Sequence, residues 1–126
     1  MSCLFDSFSE YLRIQERKNI SSYSLRQQIC DYLHTDPIML DDHTTKLSEL
    51  LKTTSLNSYI DNMRRSGTWG SAFEINAFCN LYHVNVNVKV LLTRKDIMFY
   101  PLTCCTFKIV NLEWTGSHYT YITNQK

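Results

Sequence analysis

The chain has 126 residues, 44% of them hydrophobic, with three glycines and two prolines; that suits one compact domain and excludes a disordered tail. Thirteen basic residues face twelve acidic ones, for a net charge of +1, so there is no electrostatic footprint for nucleic acid. No apolar run approaches the roughly 18–20 residues of a membrane-spanning helix, and the first residues show no basic-then-apolar secretory pattern.

The first half reads as helix. Leu4, Phe8, Tyr11 and Leu12 follow the i, i+4, i+7, i+8 rule. Leu25, Ile29, Tyr32 and Leu33 repeat it behind Ser22 or Ser24 as a candidate N-cap. That helix is expected to stop before Asp36-Pro37, since a residue preceding proline avoids helical dihedrals. Leu47, Leu50 and Leu51 mark a third helix, and Leu56, Tyr59, Ile60 and Met63 a fourth, closed by Gly67. After "GTWG" a fifth runs through Phe73, Ala77, Phe78 and Leu81.

The period then changes from 3.6 to 2. "VNVNVKV" places Val84, Val86, Val88 and Val90 on one face and Asn85, Asn87 and Lys89 on the other, the pattern of a strand with one buried face. "IMFYPL", "TFKIVNL" and "HYTYIT" read as three more strands. Helices first and strands later predict an α+β domain, with helices packed around a small, mainly antiparallel sheet.

The five cysteines are Cys3, Cys30, Cys79, Cys104 and Cys105. An odd number without CxxC spacing argues against a disulfide framework or a zinc site and for a reducing compartment, the cytoplasm or nucleus. Cys30 and Cys79 lie within helical periodicity and are expected to be small buried apolar residues. Cys104 and Cys105 are also read as structural. Cys3 differs, because it opens a helix, where unsatisfied N–H groups and the macrodipole favour a thiolate.

A cysteine nucleophile needs a base. His34 closes a helix, His43 lies in a polar turn and His83 is a helix–strand boundary residue. His118 begins the last strand, in "GSHYTYI", where a strand can hold an imidazole rigidly at a loop junction. Arg64-Arg65 and "ERK" read as solvated surface. Trp69 is expected to pack near the core, Gly70 to permit a tight turn, and Glu74 to place its charge at the positive end of the fifth helix.

Three segments resemble the ovarian-tumour (OTU) family of cysteine proteases. "CLFDSFS", with Cys3, Leu4, Phe5 and Ser7, is similar to its nucleophile segment. "GTWGSAFEINAFCNLYHVNVNV" is similar to its middle block, with Trp69-Gly70 before a helix bearing Glu74-Ile75 and Ala77-Phe78 and a Val-x-Val strand after it. "SHYTYI" looks like its histidine segment, with His118-Tyr119 at the start of a terminal strand. "LRQQICDYL" and "SYIDNMRRSGTWG" resemble the helices preceding the middle block.

The resemblance covers nearly the whole chain, as one OTU-like domain over 1–126, and implies a papain-like fold. It implies deubiquitinating isopeptidase activity, with ubiquitin or a ubiquitin-like protein as partner and neither metal nor cofactor. Cys3 would attack the carbonyl of the C-terminal glycine, and His118 would take the thiol proton and pass it to the leaving amine. Backbone N–H groups around Cys3 would stabilise the oxyanion. The host cytoplasm is the expected compartment for a viral or bacterial effector of this kind.

Two departures from the family pattern stand out. The family's Asp three residues before the cysteine has no counterpart, since Cys3 is preceded by Met1 and Ser2 alone; the usual upstream loop is expected to be lacking. The second is Thr120, two positions after His118, where many members carry Asp or Asn. Thr120 and Asn111 are candidate orienting residues, with a ladder role as the other reading of Asn111. The alternative to an active enzyme is a catalytically weak or inactive OTU-like domain that binds ubiquitin or acts as a scaffold.

Overall fold

The computed structural model describes residues 3–102 and 105–123. The elements are α1 (Cys3–Gln15), α2 (Ser22–His34), α3 (Leu47–Leu50), α4 (Leu56–Met63), α5 (Ala72–Tyr82), β1 (Asn85–Val90), β2 (Lys95–Phe99), β3 (Ile109–Trp114) and β4 (Tyr119–Ile122).

The expected helical stripes are the ones buried. Helix α1 hides Leu4, Phe5, Phe8, Tyr11 and Leu12, and α2 hides Leu25, Ile29, Cys30 and Leu33. The cap of α2 is neither Ser22 nor Ser24 but Ser21, whose hydroxyl accepts from the Ser24 N–H at 3.1 Å. The helix stops at His34, ahead of Pro37 as expected. Helix α4 ends at Met63, short of Gly67, with Arg64 as its C-cap. Helix α5 ends at Tyr82, and its C-cap His83 takes a left-handed conformation, φ 55°, an uncommon state for a residue with a Cβ and a frequent way to stop a helix. The chain then turns directly into β1.

The sheet has the order β2-β1-β3-β4. Both outer pairings are antiparallel, as expected, while the central pair β1–β3 is parallel. Alternation puts Val86, Val88, Val110 and Leu112 in the core and Asn87, Lys89, Asn111 and Glu113 on the other face. Helix α1 lies along β4, and α5 packs on β1 and β2. At the centre the Phe8 and Phe78 rings stack, centroids 3.9 Å apart and 2° from parallel. Tyr11 meets both Phe78 and Tyr121 edge-on, which joins α1, α5 and β4.

Cys30 and Cys79 are buried, as expected, and burial pushes their thiols up to about 11 and about 12. Cys105 is exposed, which corrects the structural reading of it, and Cys104 lies outside the described residues. Arg64 is more than solvated surface: its guanidinium reaches Asp31 at 2.8 Å and the Gln27 side chain at 2.9 Å. Arg26 is almost fully buried, with Nη1 donating to the Met63 carbonyl at 2.7 Å and the guanidinium 4.3 Å from the Phe5 ring centre.

Because Phe8 is wholly buried and stacked, Phe8→Ala is expected to cost about 3–5 kcal/mol. Urea denaturation of the two chains measures it.

Candidate active site

The turn between β3 and β4 places the histidine. The Thr115 N–H donates to the His118 carbonyl at 3.0 Å, and the His118 N–H donates back to Thr115 Oγ1 at 3.1 Å. Between them Gly116 sits at φ 104°, a conformation that favours glycine. Trp114 pairs with Tyr119 and Glu113 with Thr120.

In an antiparallel ladder, residues alternate between pairs that exchange hydrogen bonds and pairs that do not. With Thr115 bonded to His118, the intervening Tyr119 turns its N–H away from β3, toward the free edge of the sheet. The first turn of α1 meets it there: the Tyr119 N–H donates to Cys3 Sγ at 3.5 Å. The segments bearing Cys3 and His118 therefore come together on one side of the domain. Cys3 is half-buried and His118 exposed. The other three histidines lie elsewhere: His34 bonds Asn57 through Nε2 at 3.0 Å, His43 sits in an exposed turn at φ 61°, and His83 caps α5.

A groove of about 320 Å³ runs along this seam, lined by Cys3, Asp6, Ser7, Glu10, Tyr119, Thr120 and Tyr121. Asp6 and Glu10 were not singled out from the sequence, although with Ser7 they stand three, seven and four positions after Cys3, the spacing of one helical face. Both carboxylates already have partners, Asp6 in the Ser22 hydroxyl and Glu10 in Arg13 at 3.0 Å. The Ser7 hydroxyl is not free to act, since it donates to the Cys3 carbonyl at 2.8 Å.

The two candidate orienting residues fare differently. Thr120 lines the groove, two residues beyond His118. Asn111 is not brought to His118: its strand partner is Ile122, four residues further on, which is about 13 Å along a strand. Its amide oxygen accepts from Asn87 Nδ2 at 3.4 Å, so the ladder reading is the one the geometry supports.

The Trp69-Gly70-Glu74 segment needs two corrections. Trp69 is not packed in the core; it is 54% exposed. Only its neighbour is drawn inward, because Gly70 lies so close to α1 that a Cβ there would come within 2.5 Å of Leu4 Cδ2. The glycine serves a close approach rather than a tight turn. Glu74 stands in the first turn of α5, as expected, and is fully buried there. Its Oε1 accepts from the Ser71 N–H and hydroxyl, both at 2.6 Å, and its Oε2 accepts from Tyr59 at 2.8 Å. Desolvation still outweighs these bonds and raises the carboxyl pKa. The network fixes the start of α5, and with it the Trp69-Gly70 loop against α1.

A family described as OTU-like cysteine protease has a sequence model that matches residues 2–118. The putative ubiquitin thioesterase L96 of Tipula iridescent virus is 27% identical over 99 residues, covering 74% of this chain and 11% of that protein. A second viral relative, putative ubiquitin thioesterase 232R of Invertebrate iridescent virus 3, is 25% identical over 96 residues, covering 75% of this chain and again 11% of that protein. The chain thus spans a small part of the curated relatives it matches. Among solved structures, the OTUD1 OTU domain superposes with a TM-score of 0.72 at 18% identity, covering 98% of this chain and 79% of that one. A ubiquitin-bound OTU deubiquitinase from Wolbachia pipientis gives 0.66 at 15% identity, covering 96% and 89%. At these identities the likeness to solved structures is one of fold.

Two measurements check the geometry of the loop. Gly70→Ala is expected to cost about 1–3 kcal/mol by overpacking against Leu4, more than Trp69→Ala, although the latter removes a whole indole; denaturation midpoints decide the order. The raised carboxyl of Glu74 means that between its ordinary value of 4.5 and its higher folded value the native state holds the extra proton. Stability due to this group therefore falls as pH rises through that window. Urea titrations at successive pH values are expected to show the wild type losing stability relative to Glu74→Gln from about pH 4.5 upward.

Proposed function

The chain belongs to the OTU-like cysteine protease family, and on that premise we propose that it is a deubiquitinating isopeptidase with Cys3 as nucleophile and His118 as general base and acid. The observation that carries the reading is the Tyr119 N–H aimed at Cys3 Sγ. It ties the last-strand histidine segment to the sulfur, and it is a donor suited to a sulfur bearing negative charge. The names of the viral relatives and of the ubiquitin-bound neighbour support ubiquitin as the substrate class.

The steps follow from the groups present. The substrate's C-terminal glycine carbonyl lies over the N-terminal turn of α1. Cys3 gives up its proton to His118 and its sulfur attacks the carbonyl carbon, forming a tetrahedral oxyanion. Collapse breaks the C–N bond, with His118 delivering its proton to the departing lysine amine. A thioester then joins Cys3 to ubiquitin. Water, deprotonated by His118, hydrolyses it and restores the thiol.

Ubiquitin bearing a C-terminal propargylamide is expected to form one covalent adduct with the wild-type chain and none with Cys3→Ala. On a fluorogenic ubiquitin C-terminal substrate, His118→Ala is expected to lower kcat/KM by about a hundredfold or more. An adduct in Cys3→Ala, or undiminished turnover in His118→Ala, overturns the assignment.

A further inference from the structure

Resting on that reading, we propose that Glu113, on the neighbouring strand, is the positioning residue for His118, in place of a carboxylate at position 120. A histidine that cycles through imidazolium works best with an acceptor that fixes its ring and balances its charge. Thr120 supplies no charge. The register supplies one across the hairpin.

Glu113 pairs directly with Thr120, and Thr115 with His118 through backbone hydrogen bonds. Two residues apart on each strand, these four positions share one face of the sheet, opposite the face that buries Val110 and Leu112. Glu113 and His118 are then diagonal neighbours, at about 7–8 Å, within reach of long side chains. A glutamate is long enough to close that gap; the threonine beside it is not.

The charges around the seam narrow the choice. Asp6, on α1, is engaged by the Ser22 hydroxyl. Glu10, one turn further along the helix, is paired with Arg13 at 3.0 Å. Glu113 is half-buried, and among the described residues its carboxylate has neither a hydrogen bond nor an ion pair. Its partner on the other side is Lys89 of β1, whose own second partner is Asp96 of β2. A carboxylate with no ion pair of its own is free to take up a cation, and the imidazolium formed during turnover is one that its position faces across the hairpin, as Lys89 is on the side of β1.

The test is loss and relocation of the carboxylate. Glu113→Gln is expected to lower kcat about tenfold or more with KM nearly unchanged and the melting temperature retained. Adding Thr120→Asp to Glu113→Gln is expected to restore most of that loss. The ring 15N shifts of His118, recorded in Cys3→Ala, report which nitrogen carries the proton; they should move with Glu113→Gln and return with Thr120→Asp. Unchanged kcat and unchanged ring shifts in Glu113→Gln overturn the proposal, as does a loss that follows the melting temperature and is not rescued. The ring shifts need no turnover. A wild-type chain without ubiquitin hydrolysis but with these shifts refutes the enzyme reading and retains the positioning role; active enzyme with unmoved shifts does the reverse.

Discussion

A sheet that ends in an unpaired strand must do something with the N–H groups along its edge, and here that requirement organises the site. Tyr119 turns its N–H outward because its neighbours on both sides are committed to β3. Helix α1 covers that edge, and the group it presents at Tyr119 is a sulfur. The helix cannot drift from this position, because Phe8 is stacked on Phe78 of α5 and Tyr11 is wedged between Phe78 and Tyr121 of β4. The packing that fills the core thus also sets where Cys3 stands relative to the His118–Tyr119 junction.

Two buried ionisable groups brace the surroundings. Arg26 reaches from α2 to the last residue of α4 and the turn behind it, donating to the carbonyls of Met63 and Ser66 at 2.7 and 3.3 Å. Glu74 holds Ser71 and Tyr59 from the first turn of α5. Burial disfavours the charged form of each, lowering the Arg26 pKa and raising that of Glu74. An apolar pair would have been cheaper in desolvation. The polar pair instead specifies two loops, one of them the Trp69-Gly70 segment that closes on Leu4.

Much of this was legible in the residues, because burial leaves a period. The alternating valines mark β1, and the stripe from Leu4 to Leu12 marks the inner face of α1. Boundaries were less legible, since competing caps look alike: Ser21, Ser22 and Ser24 are all credible, and backbone geometry selects Ser21. In the second and third strands the segments read from sequence overlap the pairing but are displaced from it. Pro101 lacks an N–H and falls outside the ladder, while Thr106 holds the Lys108 N–H in a turn ahead of β3. Trp69 was misread because its size says nothing about which side of a loop meets the core. The segments bearing Cys3 and His118, which the fold brings together, were recognisable through motifs. The placement of Asn111 and Glu113 depends on strand register across a hairpin, which residue types on a single strand do not encode.

The contact between Tyr119 and Cys3 joins residues 116 positions apart, almost the full span of the domain. Contacts so far apart in sequence, like those of the parallel central pair, are the kind whose loop-closure entropy slows folding. During synthesis the cysteine emerges early and waits for the rest of the domain. Cys3 and the Tyr119 edge therefore meet only after β4 has been made and has docked, so that the seam between the two ends of the domain is closed by completed folding, and a partly made domain leaves the Cys3 thiol uncovered.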